Sequence, residues 1–489
     1  MKPLGVYAPQ ECPMSDIAAQ TLDATLDEPR APAKLSGAER KARARTAMLE
    51  GPIVSTLVKL ALPTIGVMVA QTAVGIAETY YVGFLGTDAL AGVALVFPIF
   101  MLMTTMSNGG LGSGVASAIA RAIGAGRQQD ADALVFHSVV LAIIAGALFS
   151  GGILWGGPAL YSALGGRGES LAAALQYSNY LFAGAVAVWI VNLLAAALRG
   201  SGNVKVPALV TLTGAVLMIP ASPALIFGFG PIPRLGIAGA GIAFGVYYLG
   251  ALLVMVRYMR SGRSGLTLAV VPLQRRLFAD ILKVGLPTAI NAVQTNLCVI
   301  LVTGAVGLFG TAALAGYGIA VRLDYVMIPI LFGLSSAVLT MVGINIGAGN
   351  GARARHIAWV SALIGVGITG AIGLVAAIAP SLWLTLFTHD PEVLAPGATY
   401  LRIVGLVYGL FGFGFVISFA GQGAGRVLWP SVAVTARLMV AAGLGWIAVA
   451  FFDGGMATLA TIVALSFVAY AGLASLAMIF GSAWRSRRS

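Results

Sequence analysis

Charge is what this sequence lacks most. Asp, Glu, Lys and Arg make up 9% of its 489 residues, against about 25% in a soluble globular domain. With 59% hydrophobic residues and a mean hydropathy of +0.94, a water-soluble globule is excluded. Cysteine is almost absent as well: Cys12 sits in a polar tail and Cys298 in an apolar stretch, which rules out a disulfide framework. His137, His356 and His389 lie far apart and form no ligand motif. No nucleotide-binding phosphate loop follows a strand signal, and no nucleophile lies near a base. The sequence therefore predicts no enzyme, no catalytic residue, no resident metal and no cofactor, with an ion gradient as the energy source. The formal charge of +12 would suit nucleic acid only if the basic residues shared a soluble surface. They do not, so no nucleic-acid partner is expected.

What is present is apolar sequence in helix-length pieces. A membrane span needs about 20 mostly apolar residues, and twelve stretches qualify. In the first half they cover 57–83, 88–122, 129–156, 168–198, 204–229 and 236–259. In the second half they cover 277–308, 312–346, 355–380, 392–421, 428–452 and 456–482. The 64 glycines suit helices that approach closely in lipid, where small residues rather than a hydrophobic effect bring backbones together. The fold class expected is all-α integral membrane, with twelve transmembrane helices in two pseudo-symmetric six-helix bundles.

Basic residues alternate with the connections. Arg121 and Arg127, Arg199 and Lys205, Arg257 to Arg276, Arg353 and Arg355, and Arg426 fall on one side. Arg30, Lys34, Arg40, Lys41, Arg43 and Arg45 precede the first span, and Arg485, Arg487 and Arg488 end the chain. The other side holds only Arg167 and Arg234, beside Asp88, Glu169, Asp390, Glu392 and Asp453. The positive-inside rule then places both termini in the cytoplasm of a multi-pass protein of the cell inner (plasma) membrane. Residues 1–50 read as a disordered polar tail without a signal-peptide run, and Met14 is an alternative start.

The halves repeat. Laid over one another without a gap, residues 57–92 and 281–316 match Lys59 with Lys283, Leu62-Pro63-Thr64 with Leu286-Pro287-Thr288, and Gly86-Thr87 with Gly310-Thr311. One residue of register shift aligns Gly124-Ala125-Gly126 with Gly347-Ala348-Gly349 and the Gly200–Pro207 stretch with Gly423–Pro430. The expected units are a bundle at 51–262, a basic linker at 263–276 and a second bundle at 277–489. Six spans per half make the repeats parallel, related by an axis along the membrane normal. In secondary transporters such repeats enclose a site between them and expose it alternately to each side.

Several motifs resemble the multidrug and toxic compound extrusion (MATE) antiporters, most closely the DinF-like branch. They are LALPTIG at 60–66 with GLPTAI at 285–290, AETYYVGFLGTDALAG at 77–92, IAVRLDYVMIPILFGLSSA at 319–337, GINIGAGN at 343–350, RGSGN at 199–203 and LIFGFGPIPRLGIAGAGIA at 225–243. The resemblance implies export of small amphipathic or cationic organic compounds in exchange for H+ or Na+, by a working unit of one chain among membrane lipids. It also implies an acidic group on the first helix, where this chain has Glu78. On the fifth helix the family often has an Asn and then an Asp, at positions that align with Met218 and Ser222, which weakens the case for a Na+ site. A lipid-linked precursor flippase, or an exporter of one specific metabolite, is the alternative.

Ionisable residues within a span are costly enough to suggest function. Glu78 lies about 20 residues into the first span, in its outer half, with Gln71 two turns earlier on roughly the same face. A carboxylate desolvated among apolar helices takes up a proton more readily, so Glu78 is the first choice for coupling, unless Tyr80 or Tyr81 satisfies it at the interface. Asp324 is the second choice, with a structural ion pair to Arg402 or Arg437 as its alternative. Arg322 cannot simply face Asp324 at two residues' separation on a helix. The expected substrate cavity takes Gln71, Tyr81, Phe97, Met101, Asn291, Gln294, Thr295, Cys298, Arg322 and Arg437. Of these, Asn291, Gln294 and Cys298 form a stripe that would bind either a ligand or a neighbouring helix. Phe97 and Met101 would either meet apolar cargo or pack.

Overall fold

The computed structural model describes residues 45–231 and 233–480. Cys12, the basic residues before Arg45 and the final arginines lie outside the described residues.

Each apolar stretch becomes helix, eleven of them unbroken and the fourth in two pieces, because in lipid every backbone amide must be bonded within its own segment. The first bundle contains α1 (Ile53–Gly83), α2 (Thr87–Gly124), α3 (Gln128–Ala163), α4 (Gly168–Ala183 and Ala185–Gly200, bent by 49°), α5 (Lys205–Phe227) and α6 (Ile237–Arg260). The second contains α7 (Arg275–Gly307), α8 (Thr311–Gly347), α9 (Gly351–Ile378), α10 (Pro391–Gly423), α11 (Leu428–Phe451) and α12 (Met456–Phe480). The expected limits hold closely. The largest difference is at α3, which continues through Gly156, Gly157 and Pro158 to Ala163. Residues 45–50, expected within the disordered tail, form a helical turn before Pro52.

The repeat is visible in the backbone. Gly86 and Gly310, which start α2 and α8, have φ of 109° and 97°, and Gly202 and Gly425 have 84° and 73°. L-residues with side chains rarely adopt these values, so glycine is needed at both members of each pair.

Each bundle has its own buried core, but the basic-end parts of the first and seventh helices are exchanged between them, while Val82 of α1 and Cys298, Val302 and Val306 of α7 stay in their own. Leu57, Leu60 and Ala61 of α1 join the core of the second bundle. Leu277 and Ile281 of α7 join the core of the first. Accordingly α1 packs on α5 of its own bundle and on α8 of the other, while α7 packs on α11 and on α2. These are the same pairs under the pseudo-twofold axis.

The seam is made of glycine. A Cβ on Gly110 would lie 2.9 Å from Ala289 Cα, one on Gly114 2.8 Å from Gly285 Cα, and one on Gly124 2.9 Å from Ile344 Cα. From Gly110 to Gly124 the seam extends over about 21 Å at 1.5 Å per residue, and it runs to the end of the molecule that carries most of the arginines. There Arg121 pairs with Asp280 at 2.8 Å, Ser117 donates to the Gln422 carbonyl, and Thr340 Oγ1 donates to the Arg199 carbonyl at 3.0 Å. Every inter-bundle hydrogen bond among the described residues lies at this basic end.

The linker is held rather than loose. Residues 261–274 are non-helical and lie along the start of α3, and Arg275 and Arg276, expected in the linker, already belong to α7. Asp132 Oδ1 accepts from Thr267 N at 2.9 Å, and Arg276 grips Asp130 at 2.7 and 3.1 Å. His137, fully buried, accepts from Gln274 N through Nε2 at 2.8 Å while Nδ1 meets the Ala133 carbonyl at 2.8 Å. One neutral tautomer satisfies both bonds, with Nδ1 donating.

Candidate functional site

Glu78 is placed by the pitch of α1, which turns residue 78 away from the exposed Thr79 and Tyr80 and into the first bundle. It is 6% exposed. Tyr177 on α4 donates to its Oε1 at 3.1 Å. Tyr177, and not Tyr80 or Tyr81, is therefore its hydrogen-bond partner. Tyr80 is exposed and stacks edge-on with Phe84 at 5.0 Å. Tyr177 lies 99 residues from Glu78 in sequence, and nothing in the spacing of either helix linked them.

Val74, Ala77, Glu78 and Tyr81 of α1 face Met218, Ile219 and Ser222 of α5 across a narrow crevice. The two α5 positions singled out by the resemblance thus lie opposite Glu78. Ser222 is 2% exposed and its Oγ has no partner, so a buried hydroxyl is available there, where an orphan polar group costs energy unless something meets it. Gln71 is exposed, two turns from Glu78 and one turn before Val74, and does not line this crevice. Phe97 and Met101, one turn apart on α2, are 50% and 38% exposed.

The second bundle holds a different arrangement. Asp324 on α8 faces Tyr408 of α10 and, at longer range, Arg437 of α11. Its Oδ1, the Tyr408 hydroxyl and Arg437 Nε are all buried without a hydrogen-bond partner. The Arg437 guanidinium is flanked by Phe467 at 4.9 Å and Phe411 at 5.3 Å, a double cation–π contact. No ion pair within 4 Å forms between Asp324 and Arg437 or Arg402, and Arg402 is exposed. Arg322 is also exposed, with its guanidinium over Phe387 at 5.4 Å.

The polar stripe of α7 is already occupied. Asn291 Nδ2 donates to Ser431 Oγ at 3.1 Å, and Gln294 Nε2 donates to Thr435 Oγ1 at 3.1 Å. Thr295 Oγ1 returns to its own helix at the Asn291 carbonyl, and Cys298 is buried. The partners Ser431 and Thr435, at i and i+4 on α11, were a legible signal: two hydroxyls on one face of an apolar helix. Arg121 and Arg199, expected in loops, are instead packed at the seam. Arg199 donates to Asn108 Oδ1 at 2.5 Å, and Asn192 Nδ2 donates to Ser107 Oγ at 2.8 Å. Sequence position next to a turn could not reveal this.

Comparison with known proteins agrees with this architecture. The MatE family model matches twice, over residues 63–224 and 287–447, once in each bundle. A FAD transporter of Shewanella oneidensis is 27% identical over 382 residues, covering 77% of this chain and 83% of that protein. The probable multidrug resistance protein NorM of Thermotoga maritima is 28% identical over 410 residues, covering 82% and 86%. Among solved structures, a MOP superfamily transporter from Pyrococcus furiosus superposes with a TM-score of 0.81 at 25% identity, covering 89% of this chain and 97% of that one. An outward-facing multidrug resistance MATE transporter superposes with a TM-score of 0.80 and the same coverage, at 24% identity. With two repeat-related bundles, a seam closed at one end and the family model matched over both halves, this chain belongs to the MatE family of multi-pass membrane transporters and is not an enzyme.

Proposed function

We propose that this secondary transporter exports small amphipathic or cationic organic compounds from the cytoplasm in exchange for H+, by alternating access between its two bundles. The observation that carries the coupling ion is Glu78. It is a single buried carboxylate whose neighbours across the crevice are Met218, Ile219 and Ser222. A Na+ ion asks for several oxygen ligands, whereas a proton asks for one carboxylate in a low-dielectric site. Protonation from outside neutralises Glu78 and changes what α1 can pack against on α4 and α5, and cargo is then released outward. The basic end faces the cytoplasm by the positive-inside rule, so the closed seam corresponds to a state open to the outside.

The likeness to multidrug exporters favours this reading over a flippase or a carrier of one metabolite. The crevice beside Glu78 also has no Arg or Lys to hold a pyrophosphate. Asp324 and Arg437 serve as a second polar centre, with Tyr81, Phe97 and Met101 offering soft and aromatic surface to cargo. The test is efflux of ethidium from proteoliposomes with a pH gradient and a Na+ gradient imposed separately. The pH gradient alone should drive efflux, and Glu78→Gln should abolish its pH dependence. Drive by Na+ alone, or an unchanged pH dependence in Glu78→Gln, would refute the proposal.

A further inference from the structure

The segment just before α1 makes contacts that belong to neither bundle alone. Residues 45–50 form a short helical turn, and the chain then bends at Gly51 and Pro52 into α1. Arg45 Nη2 donates to the Gly124 carbonyl at the end of α2, at 2.9 Å. Asn345 of α8, fully buried, donates through Nδ2 to the Met48 carbonyl at 3.1 Å. The Arg353 guanidinium of α9 donates to the Gly51 carbonyl. Met48 is 4% exposed and packs with Ala120 of α2 and Ile344 of α8 in a small core of its own. Its methyl group fills the space beside Gly202 that a Cβ there would need.

We propose that residues 45–51 are a latch that holds the bundles together at the basic end and must be released in each transport cycle. The wall of the Met48 pocket comes from both bundles: Ala120 and Gly202 from the first, Ile344 and Asn345 from the second. When the bundles separate at this end, the segment can follow only one of them. If it stays with the first bundle, the bonds from Asn345 and Arg353 break. If it stays with the second, the bond to Gly124 and the contacts with Ala120 and Gly202 break. Either way the buried Met48 side chain loses one wall of its pocket, and either the Asn345 amide loses one of its two acceptors, keeping the Met341 carbonyl, or the Gly124 carbonyl loses Arg45. Both changes oppose opening. The seam glycines let the helices meet, and the latch adds a specific, reversible bond set across them.

This inference rests on the alternating-access reading, and a distance measurement that needs no substrate separates the two. Spin labels on Arg260→Cys and Arg355→Cys, in a Cys12→Ser, Cys298→Ala background of the full chain in lipid nanodiscs, report the spacing of the bundles at the basic end. Met48→Asp and, separately, Asn345→Ala should shift the ratio of long to short distances about tenfold toward long, whereas Met48→Leu should not. The figure corresponds to about 1.4 kcal/mol, near the low end for one buried apolar side chain. If Met48→Asp fails to fold, Met48→Ala with Asn345→Ala serves the same purpose. In proteoliposomes, a Met48→Cys, Ile344→Cys pair should stop ethidium efflux on oxidation and recover it on reduction. Unchanged distances in the Met48 and Asn345 variants, or full efflux from the oxidised pair, would overturn the latch.

Discussion

Replacing Tyr177 by Phe removes the one phenol that donates to Glu78, at 3.1 Å, while keeping the buried ring. A hydrogen bond to a charged acceptor contributes about 1.5–3 kcal/mol, and about 1.4 kcal/mol is tenfold in proton affinity. The sign follows from which form the phenol stabilises. It donates to the ionised carboxylate, so its loss favours the protonated form by about 10–100-fold. The pH at which ethidium efflux is half-maximal should therefore move upward by about one to two units in Tyr177→Phe. The measurement is a series of proteoliposome efflux rates over external pH 5.5–9, with Glu78→Gln as the pH-independent reference. A profile that loses amplitude but keeps the wild-type midpoint would refute the reasoning, because it would make Tyr177 a packing residue only.

Three further outcomes are expected. A double-mutant cycle of Asn291→Ala and Ser431→Ala, read by unfolding in denaturing detergent, should give a coupling of about 0.6 kcal/mol and at most about 1.7, the range for inter-helix hydrogen bonds in membranes. Zero coupling with loss of efflux would instead make Asn291 a cargo contact. Gly124→Val places a side chain against the Ile344 backbone; at an overpacking cost of about 1–3 kcal/mol it should raise alkylation of cysteines introduced along the seam from the basic side by about tenfold, and unchanged alkylation would contradict the closed seam. At the start of α3, the Arg276 hydrogen bonds, with the charges of Arg276 and Arg127, hold the Asp130 carboxyl below the ordinary carboxylate range. Because its folded value is depressed, its contribution is fully present above about pH 4 and is lost as pH falls further. Pepsin cleavage within 263–274 should therefore stay low at pH 5 and rise below pH 4, and Asp130→Asn should show the acid behaviour at pH 5.

Much of this molecule was legible in one dimension. Span limits could be read to within a few residues because a helix in lipid must satisfy its own backbone, so its ends coincide with the ends of apolar sequence. The repeat could be read because turns such as Gly86-Thr87 and Gly310-Thr311 require the same positive φ in both halves. Glu78 stood out because a carboxylate inside an apolar run is costly wherever the helix happens to face. Its partner did not stand out, since Tyr177 is one of 14 tyrosines and only the packing of α4 on the first bundle selects it.

The rest depended on contacts between segments far apart in the chain. Sequence offered Asn291 and Gln294 either cargo or a helix, and only the packing of α11 shows that Ser431 and Thr435 meet them. Arg121 and Arg199 entered the topology only as charges, yet a loop position says nothing about reach: Arg121 crosses the seam to Asp280, and Arg199 turns inward to Asn108. The exchange of the basic-end parts of α1 and α7 between cores, and the side on which the bundles close, are decided only in three dimensions. Periodicity records which face of a helix is apolar, but in lipid every face is apolar, so the pattern does not name the neighbour. Glycine spacing, close backbone approach and a few buried hydrogen bonds name it instead.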